Sequence, residues 1–199
     1  MISKSWFCGL LTAVVLVCGC GEGVKKANFE RNMMTSETKT VKLETSMGNI
    51  VIELNEQAAP ITVKNFLGYV EEGFFDGTIF HRVMPNFMIQ AGGFTAEMER
   101  KQPRAPIKNE FKLSNVRGTI AMAKLGGDPD SATCQFFISL TDNSRNLDNQ
   151  NGGFTVFGKV VEGMDVVDAI ASVVTTTRMG YDDVPVKPVV IKSARVVSE

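Results

Sequence analysis

Apolar and polar residues alternate in two short runs, residues 41–45 and 50–54, with Gly48 in the connection between them. Strict alternation is typical of a strand that buries one face, so the two runs predict a β-hairpin. Similar short runs predict six more strands. These are residues 78–83, 88–91, 118–123, 135–140, 155–160 and 188–197.

Two stretches have the spacing of an amphipathic helix instead. The first, after Pro60 and before Gly73, repeats apolar residues at i, i+3, i+4 and i+7. The second covers residues 164–173. The residues that define the two apolar faces are Val63, Phe66, Leu67 and Val70, then Met164, Val167, Ile170 and Ala171. Eight short strands between Gly- and Pro-rich loops predict a sandwich or barrel with two helices that plug or flank it. Residues 95–116 have charges and two prolines but little pattern, which predicts a long loop, and a loop of this length inside a compact domain is often functional.

The start of the chain has a different pattern. Lys4 is the only charge before Glu22, and an apolar run over residues 6–18 follows it. This run is shorter than the ~20 residues of a membrane-spanning helix, so it predicts a cleaved signal peptide. The ending Gly19-Cys20 resembles the bacterial lipobox, which implies a lipid on Cys20. An ordinary signal peptide that happens to contain cysteine is the alternative.

These features predict three segments. Residues 1–19 are a lipoprotein-type signal peptide, residues 20–40 a polar, flexible tether, and residues 41–199 the folded domain. The protein is then exported and anchored by lipid to a membrane, with the domain facing the periplasm or the cell exterior. Cys134 would be the only other cysteine of the mature chain, which predicts a packing residue without a disulfide.

Composition excludes several classes of protein. Hydrophobic residues make up 44% of the chain, enough for a core, and the net charge of −1 without a basic run argues against a nucleic-acid binder. His81 is the only histidine, so multi-histidine metal sites lack ligands. There is no P-loop or dinucleotide fingerprint. We expect no metal and no cofactor.

One stretch, residues 80–90, joins a cation, an amide and soft apolar side chains. If Arg82 lies on one strand and Gln90 on the next, the two side chains converge on one face with Phe87 and Met88. Taken alone, each of these residues has a simpler interpretation as core packing or a surface arginine.

At these residues the chain resembles the cyclophilins, in particular their small bacterial members. The matching blocks stand in family order from about residue 41 to the C-terminus. They are Phe80-His81-Arg82, Pro85, Phe87-Met88, Gln90, Gly92-Gly93-Phe94, residues 118–123, Cys134-Gln135-Phe136-Phe137-Ile138, residues 156–160 and residues 187–191.

The resemblance implies a mainly β fold, a closed eight-stranded antiparallel β-barrel capped by two α-helices, with a groove on its outer wall. It implies a monomeric peptidyl-prolyl cis–trans isomerase that acts on proline-containing polypeptides. By the same resemblance Arg82 is catalytic. Phe87, Met88, Phe137 and Leu147 line the proline pocket, Gln90, Gln135 and the Ala123 backbone hold the substrate's main chain, and Phe154 stands where the family commonly has His or Tyr.

The chain departs from the family pattern at three positions. Asn146 stands where many members have Trp or Phe, Phe154 lacks the polar tip of His or Tyr, and Lys124 replaces an Asn of many eukaryotic members. These departures put the substrate range in doubt. They leave open an alternative, a chaperone or adaptor lipoprotein that binds proline peptides without turnover.

Overall fold

The computed structural model describes residues 39–197, which form a mainly β domain. All eight predicted strands and both predicted helices are present, with ends shifted by a few residues. The strands are β1 (Thr40–Thr45), β2 (Gly48–Leu54), β3 (Thr78–Met84), β4 (Met88–Thr95), β5 (Thr119–Met122), β6 (Phe136–Ser139), β7 (Val156–Glu162), β8 (Thr175–Arg178), β9 (Tyr181–Pro185) and β10 (Ile191–Val197). The helices are α1 (Pro60–Glu71), α2 (Ser144–Leu147) and α3 (Met164–Ala171).

Eight strands pair antiparallel in the order β10-β1-β2-β7-β5-β6-β4-β3. The prediction of a closed barrel is wrong, because this sheet curls through 249° and stays open. No ladder joins its edge strands β3 and β10, and the isolated bridge Ile79–Val190 connects β3 to the residue just before β10. The predicted last strand began at residue 188, but Pro188 has no N–H to donate, and β10 begins only at Ile191.

The concave side of the sheet is filled by phenylalanine. The Phe66 ring of α1 lies 5.3 Å from Phe75, 5.6 Å from Phe136 and 5.0 Å from Phe157, measured between ring centroids. All four side chains are at most 1% exposed. Because side chains pack the interior, the outer wall is the surface that remains for a binding site.

Both ends of α1 are satisfied by specific partners. Pro60 lies in its first turn, and the Glu110 carboxylate accepts hydrogen bonds from the Ile61 and Thr62 amides at 3.1 and 2.8 Å. At the other end, Gly73 has a φ of +64° and its amide donates to the Val70 carbonyl at 3.1 Å, as in a Schellman motif. The long loop that carries Glu110 therefore caps the main helix.

Two elements were not predicted. α2 is a single turn, too short for a periodic signal. β8 and β9 form a separate two-stranded sheet whose turn, Met179-Gly180, has positive φ at both residues. The sequence cue for such a turn is usually Asn-Gly or Asp-Gly, which is absent here. The strands themselves are mostly exposed and polar, so they lack the alternation that marks a buried strand.

The predicted signal peptide, Cys20 and the tether up to Thr38 lie outside the described residues, whereas β1 begins at Thr40, inside the segment expected to be tether. None of the helices described between residues 39 and 197 is long and apolar enough to cross a membrane. Cys134 is a free, buried thiol in the main core. Burial raises the pKa of this thiol, in keeping with a packing role.

Candidate active site

A β-bulge directs Arg82 to the outside of the sheet. In the β3–β4 ladder Phe80 pairs with Ala91 and Arg82 pairs with Gln90, so two steps along β3 oppose one along β4. The extra residue shifts the alternation: Phe80 and Val83 both point into the core, while the Arg82 side chain is 44% exposed. Bulges often re-aim a side chain in this way next to active sites.

Next to Arg82 lies an apolar surface on the convex face of the sheet. It is built from residues whose neighbours in sequence face the core, such as Ala121, which pairs with Phe137 across β5 and β6. Its members are Met88, Ala121, Phe137, Leu147 and Val156, with Met84, Phe87, Ala123 and Phe154 packed at their edge. With Arg82, Gln90, Lys124 and Gln150, part of this cluster lines a groove of about 400 Å³.

Two glutamines form the polar side of the groove. The Gln90 Nε2 donates to Gln135 Oε1 at 2.8 Å, which fixes both amides across β4 and the start of β6. Gly93 makes room for this arrangement, because a Cβ there would lie 2.5 Å from the Gln135 amide nitrogen. Behind them, the Ala123 amide donates to the Gln135 carbonyl at 2.9 Å. Gln135 also lines a neighbouring pocket of about 430 Å³, together with Arg100 and Asp128.

The opposite wall comes from α2 and the loop over residues 148–154. The Phe154 ring packs edge-on against Phe137, with centroids 5.7 Å apart, and the Phe154 amide donates to the Leu147 carbonyl at 3.1 Å. The Lys124 ammonium lies 4.8 Å from the centre of the Phe154 ring and donates to the Asn151 carbonyl. Partial burial lowers the pKa of Lys124, and the negative charge of the nearby Asp128 acts in the opposite direction. A cation thus ties this loop to the segment that follows β5.

Two charged or titratable side chains flank Arg82. Asp183 Oδ2 lies 3.8 Å from the Arg82 Nε, the only ion pair that Arg82 makes in the described part of the chain. His81 is 5% exposed and its ring packs against Phe94 at 4.7 Å between centroids. Burial lowers the pKa of His81 to about 4, so the ring is neutral near pH 7. The guanidinium is therefore the cation at this end of the groove.

Nine residues were predicted for the site, the catalytic arginine and eight that bind the substrate. Eight of these nine line the groove together. They are Arg82, Phe87, Met88, Gln90, Ala123, Phe137, Leu147 and Phe154. The ninth, Gln135, lies next to them through its bond to Gln90. Asn146 is exposed on α2 and does not line the groove, although its neighbour Leu147 does. No cluster of three or more metal-ligating side chains occurs within residues 39–197.

Three contributors to the site were missed. Gln150 lines the groove from a loop without periodicity. Asp183 reaches Arg82 from the unpredicted sheet. Asn115 is fully buried, and its Nδ2 donates to Asp148 Oδ1 at 2.9 Å and to the Phe154 carbonyl at 3.1 Å. The sequence shows Asn115 only as a polar residue in a long loop. Its partners are more than thirty residues away, so no local pattern indicates these contacts.

Comparisons with known proteins agree on one family. Residues 40–196 match the family model described as cyclophilin type peptidyl-prolyl cis-trans isomerase/CLD. The chain is 54% identical over 164 residues to the peptidyl-prolyl cis-trans isomerase cyp18 of Streptomyces antibioticus, covering 79% of this chain and 98% of that one. It is 50% identical over 194 residues to the peptidyl-prolyl cis-trans isomerase A of Dickeya dadantii, covering 96% of this chain and 98% of that one.

The fold has a counterpart among solved structures. A crystal structure of a cyclophilin type peptidyl-prolyl cis-trans isomerase from Cryptosporidium parvum, determined in the presence of the dipeptide Ala-Pro, superposes with a TM-score of 0.68. The match covers 80% of this chain and 99% of that chain at 24% identity, which supports the similarity of the fold.

Proposed function

The chain belongs to the cyclophilin-type peptidyl-prolyl cis–trans isomerases, and we propose that the groove around Arg82 is the site where it rotates X–Pro bonds of exported proteins. One observation carries this assignment. The guanidinium stands at the rim of an apolar groove whose walls include Phe87 and Phe137 and whose polar side is the Gln90 amide. Neither a lone arginine nor a lone apolar patch would suit the reaction.

The reaction asks for rotation about an amide bond, which resonance opposes with a barrier of ~18–20 kcal/mol. Uncatalysed exchange at X–Pro takes tens to hundreds of seconds. Shortening ~100 s to ~1 ms needs a factor of about 10⁵, or about 7 kcal/mol. No covalent bond forms or breaks, so the chemistry requires no nucleophile, metal or cofactor.

Arg82 supplies the differential binding. In the twisted state the proline nitrogen has lost conjugation and gained a lone pair, to which a guanidinium donates more strongly than to the planar amide. Arginine stays protonated and carries its donors in a fixed fork, which suits this task better than lysine. The neutral His81 beside it adds no competing charge.

The other groove residues hold the substrate. Phe87, Met88 and Phe137 grip the proline ring and exclude water, and lower polarity favours the less charge-separated twisted amide. The amides of Gln90 and Gln135, fixed by their 2.8 Å hydrogen bond, bind the main chain on one side of the bond while the other side rotates. Proline-containing polypeptides as the substrates are supported by the Cryptosporidium parvum structure, which was determined in the presence of the dipeptide Ala-Pro. The groove is complete in one chain, in keeping with a monomer.

We also propose that the protein is exported and anchored to a membrane. The charge at Lys4, the apolar run over residues 6–18 and the Gly19-Cys20 ending support export and a lipid on Cys20, with the domain facing the periplasm or the cell exterior. Lipid attached at the start of the mature chain would hold the protein at a membrane. Newly exported chains would then be the substrates.

Arg82→Ala tests the catalytic assignment. Measured by protease-coupled isomerisation of an X–Pro tetrapeptide, kcat/KM should fall by one to several orders of magnitude, because the transition state loses its cation. The melting temperature should stay close to that of the parent, since Arg82 is half exposed and makes one weak ion pair.

Arg145→Ala is the matched control, since it removes an exposed arginine of α2 that does not line the groove. It should keep full activity. Full activity of the Arg82→Ala protein would refute the assignment. A parent protein that binds the peptide without accelerating its isomerisation would instead support the chaperone or adaptor alternative.

A further inference from the structure

We propose that Asp183, a residue of the β8–β9 sheet, is a positioning residue for Arg82. The inference rests on the proposed function of Arg82 and names a residue outside the groove that acts through it. Asp183 lies in β9 and is not among the residues lining the groove, yet its Oδ2 is 3.8 Å from the Arg82 Nε.

The β8–β9 sheet packs against β3 and β4. Val184, next to Asp183, is fully buried in a small core of its own with Ile79 and Phe94. The Tyr181 ring packs on Phe94 at 5.1 Å between centroids, and the same Phe94 ring also packs against His81. The Arg178 guanidinium donates to the Ala96 carbonyl at 3.0 Å. A carboxylate carried on this sheet therefore has a fixed place relative to β3.

The backbone at Asp183 is unusual in a way that serves this placement. Its φ is +61°, in the left-handed region where Asp and Asn are tolerated better than most other residues. The adjacent Asp182 takes a structural contact instead, since its Oδ1 accepts from the Thr177 hydroxyl at 2.7 Å across the sheet. Two neighbouring carboxylates thus have separate roles, one within the hairpin and one toward Arg82.

The geometry leaves the catalytic end of Arg82 free. The carboxylate approaches the Nε side of the guanidinium, so the two terminal nitrogens remain available to a substrate. An arginine side chain has many rotamers, and a solvent-exposed arginine samples several of them unless a partner holds the guanidinium in one orientation. Holding it in advance lowers the entropic part of the activation barrier without adding a contact to the bound substrate. The expected effect is on kcat rather than on KM.

The test compares Asp183→Asn with Asp182→Asn. Asn keeps the size of the side chain and tolerates the positive φ, so Asp183→Asn removes the charge alone. In the full-length protein we expect kcat for an X–Pro tetrapeptide to fall on the order of fivefold, with KM within twofold and an unchanged melting temperature. Asp182→Asn should leave kcat unchanged. Equal kcat in Asp183→Asn and the parent, a rise in kcat, or an equal loss in both variants would overturn the inference.

A double-mutant cycle shows whether the effect passes through Arg82. On an Arg82→Ala background, Asp183→Asn should have no further effect on kcat, because there is no guanidinium left to orient. The same fivefold loss on both backgrounds would overturn the positioning role. Failure of the proposed function looks different: the parent protein would be inactive, or Arg82→Ala would be as active as the parent, before Asp183 is changed at all.

Discussion

His81 is a titratable ring placed where it cannot easily take up a proton. It occupies the extra position of the β3 bulge, next to Arg82 in the sequence, and is 5% exposed. Its ring packs against that of Phe94. Burial is the main reason why its pKa falls to about 4, and the positive charge of Arg82 acts in the same direction. The side chain serves as a neutral support, which predicts a specific dependence of stability on pH.

The free energy of unfolding should fall as pH is lowered from about 6.5 to about 4. In this window the unfolded chain protonates His81, whose ordinary pKa is 6.5, while the folded chain does not, so acid favours unfolding. The difference between the two pKa values corresponds to about 3 kcal/mol once the pH reaches 4. Urea unfolding of the parent and His81→Gln at pH 7, 5.5 and 4.5 measures it, and the variant should show the shallower dependence.

Carboxylates give a separate contribution to acid unfolding that the variant does not change. The Arg195 guanidinium lowers the pKa of Asp76, whose stabilising effect is lost only as the pH falls through that depressed value. Both proteins keep this pair, so it cancels in the comparison. Parallel curves for the parent and His81→Gln would contradict a buried, neutral His81.

At the residue scale, the sequence predicted side chains that belong to a contiguous motif. Arg82 and Gln90 are paired across β3 and β4, and Phe87 lies in the turn between these strands, so their proximity follows from the hairpin that this stretch forms. Asp183 and Asn115 could not be predicted in this way. Each reaches the site through tertiary contacts, Asp183 from a sheet without an apolar pattern and Asn115 from a loop without any.

The loop over residues 148–154 is the element on which one wall of the groove depends. It has no regular hydrogen-bond ladder and is held by single side chains from distant segments. Asn109 Nδ2 donates to the Gly153 carbonyl at 2.9 Å, and Asn115 Nδ2 to that of Phe154 at 3.1 Å. Lys124 holds its middle through the Asn151 carbonyl. Displacing the loop should therefore alter substrate binding before it unfolds the domain.

Gly153→Ala should weaken both the fold and substrate binding. The φ of Gly153 is +75°, and a Cβ there would overlap the Phe111 ring. We expect a loss of about 1 kcal/mol from the left-handed backbone and a further ~1–3 kcal/mol from the overlap. Because the next residue is Phe154, KM for an X–Pro peptide should rise several-fold. Urea unfolding and steady-state kinetics measure the two effects.

Gly127→Ala separates strain from overlap. Its φ is +92°, but no atom lies within 4 Å of the added Cβ. This variant should lose only the backbone contribution of about 1 kcal/mol and keep the KM of the parent. If the two alanine variants were equally stable and bound peptide equally well, the packing of Phe111 under the loop would not matter to the groove.

At the element scale, prediction worked where burial imposes a period. The eight strands of the main sheet and helices α1 and α3 all bury apolar side chains, and each was predicted with ends shifted by a few residues. The β8–β9 sheet is largely exposed, so nothing in its composition required alternation. The open edge was missed for another reason. Whether β3 and β10 form a ladder or a single bridge depends on Pro188 and on tertiary geometry, not on hydrophobic pattern.

Catalysis and the proposed membrane anchor belong to separate parts of the molecule. All the groove residues, from Arg82 to Phe154, lie in the compact unit Thr38–Glu199, and the proposed lipid site lies before it. Removing the lipid should thus change where the enzyme is and leave unchanged what it does to a peptide.

Cys20→Ser tests this separation in the producing cell. Without the thiol no lipid can be attached, so the protein should move from the membrane fraction to the soluble fraction. Its kcat/KM for an X–Pro tetrapeptide should stay within twofold of the parent, because the substitution lies outside the unit that contains the groove. Cys18→Ser is the matched control: bulky Val17 precedes Cys18, so Cys18 is not the expected lipid site and this variant should stay in the membrane fraction.

Intact mass spectrometry of the parent should show a mature chain that begins at Cys20 and carries acyl groups. A soluble parent, or a Cys20→Ser protein that still sediments with membranes, would contradict the anchor while leaving the isomerase assignment intact.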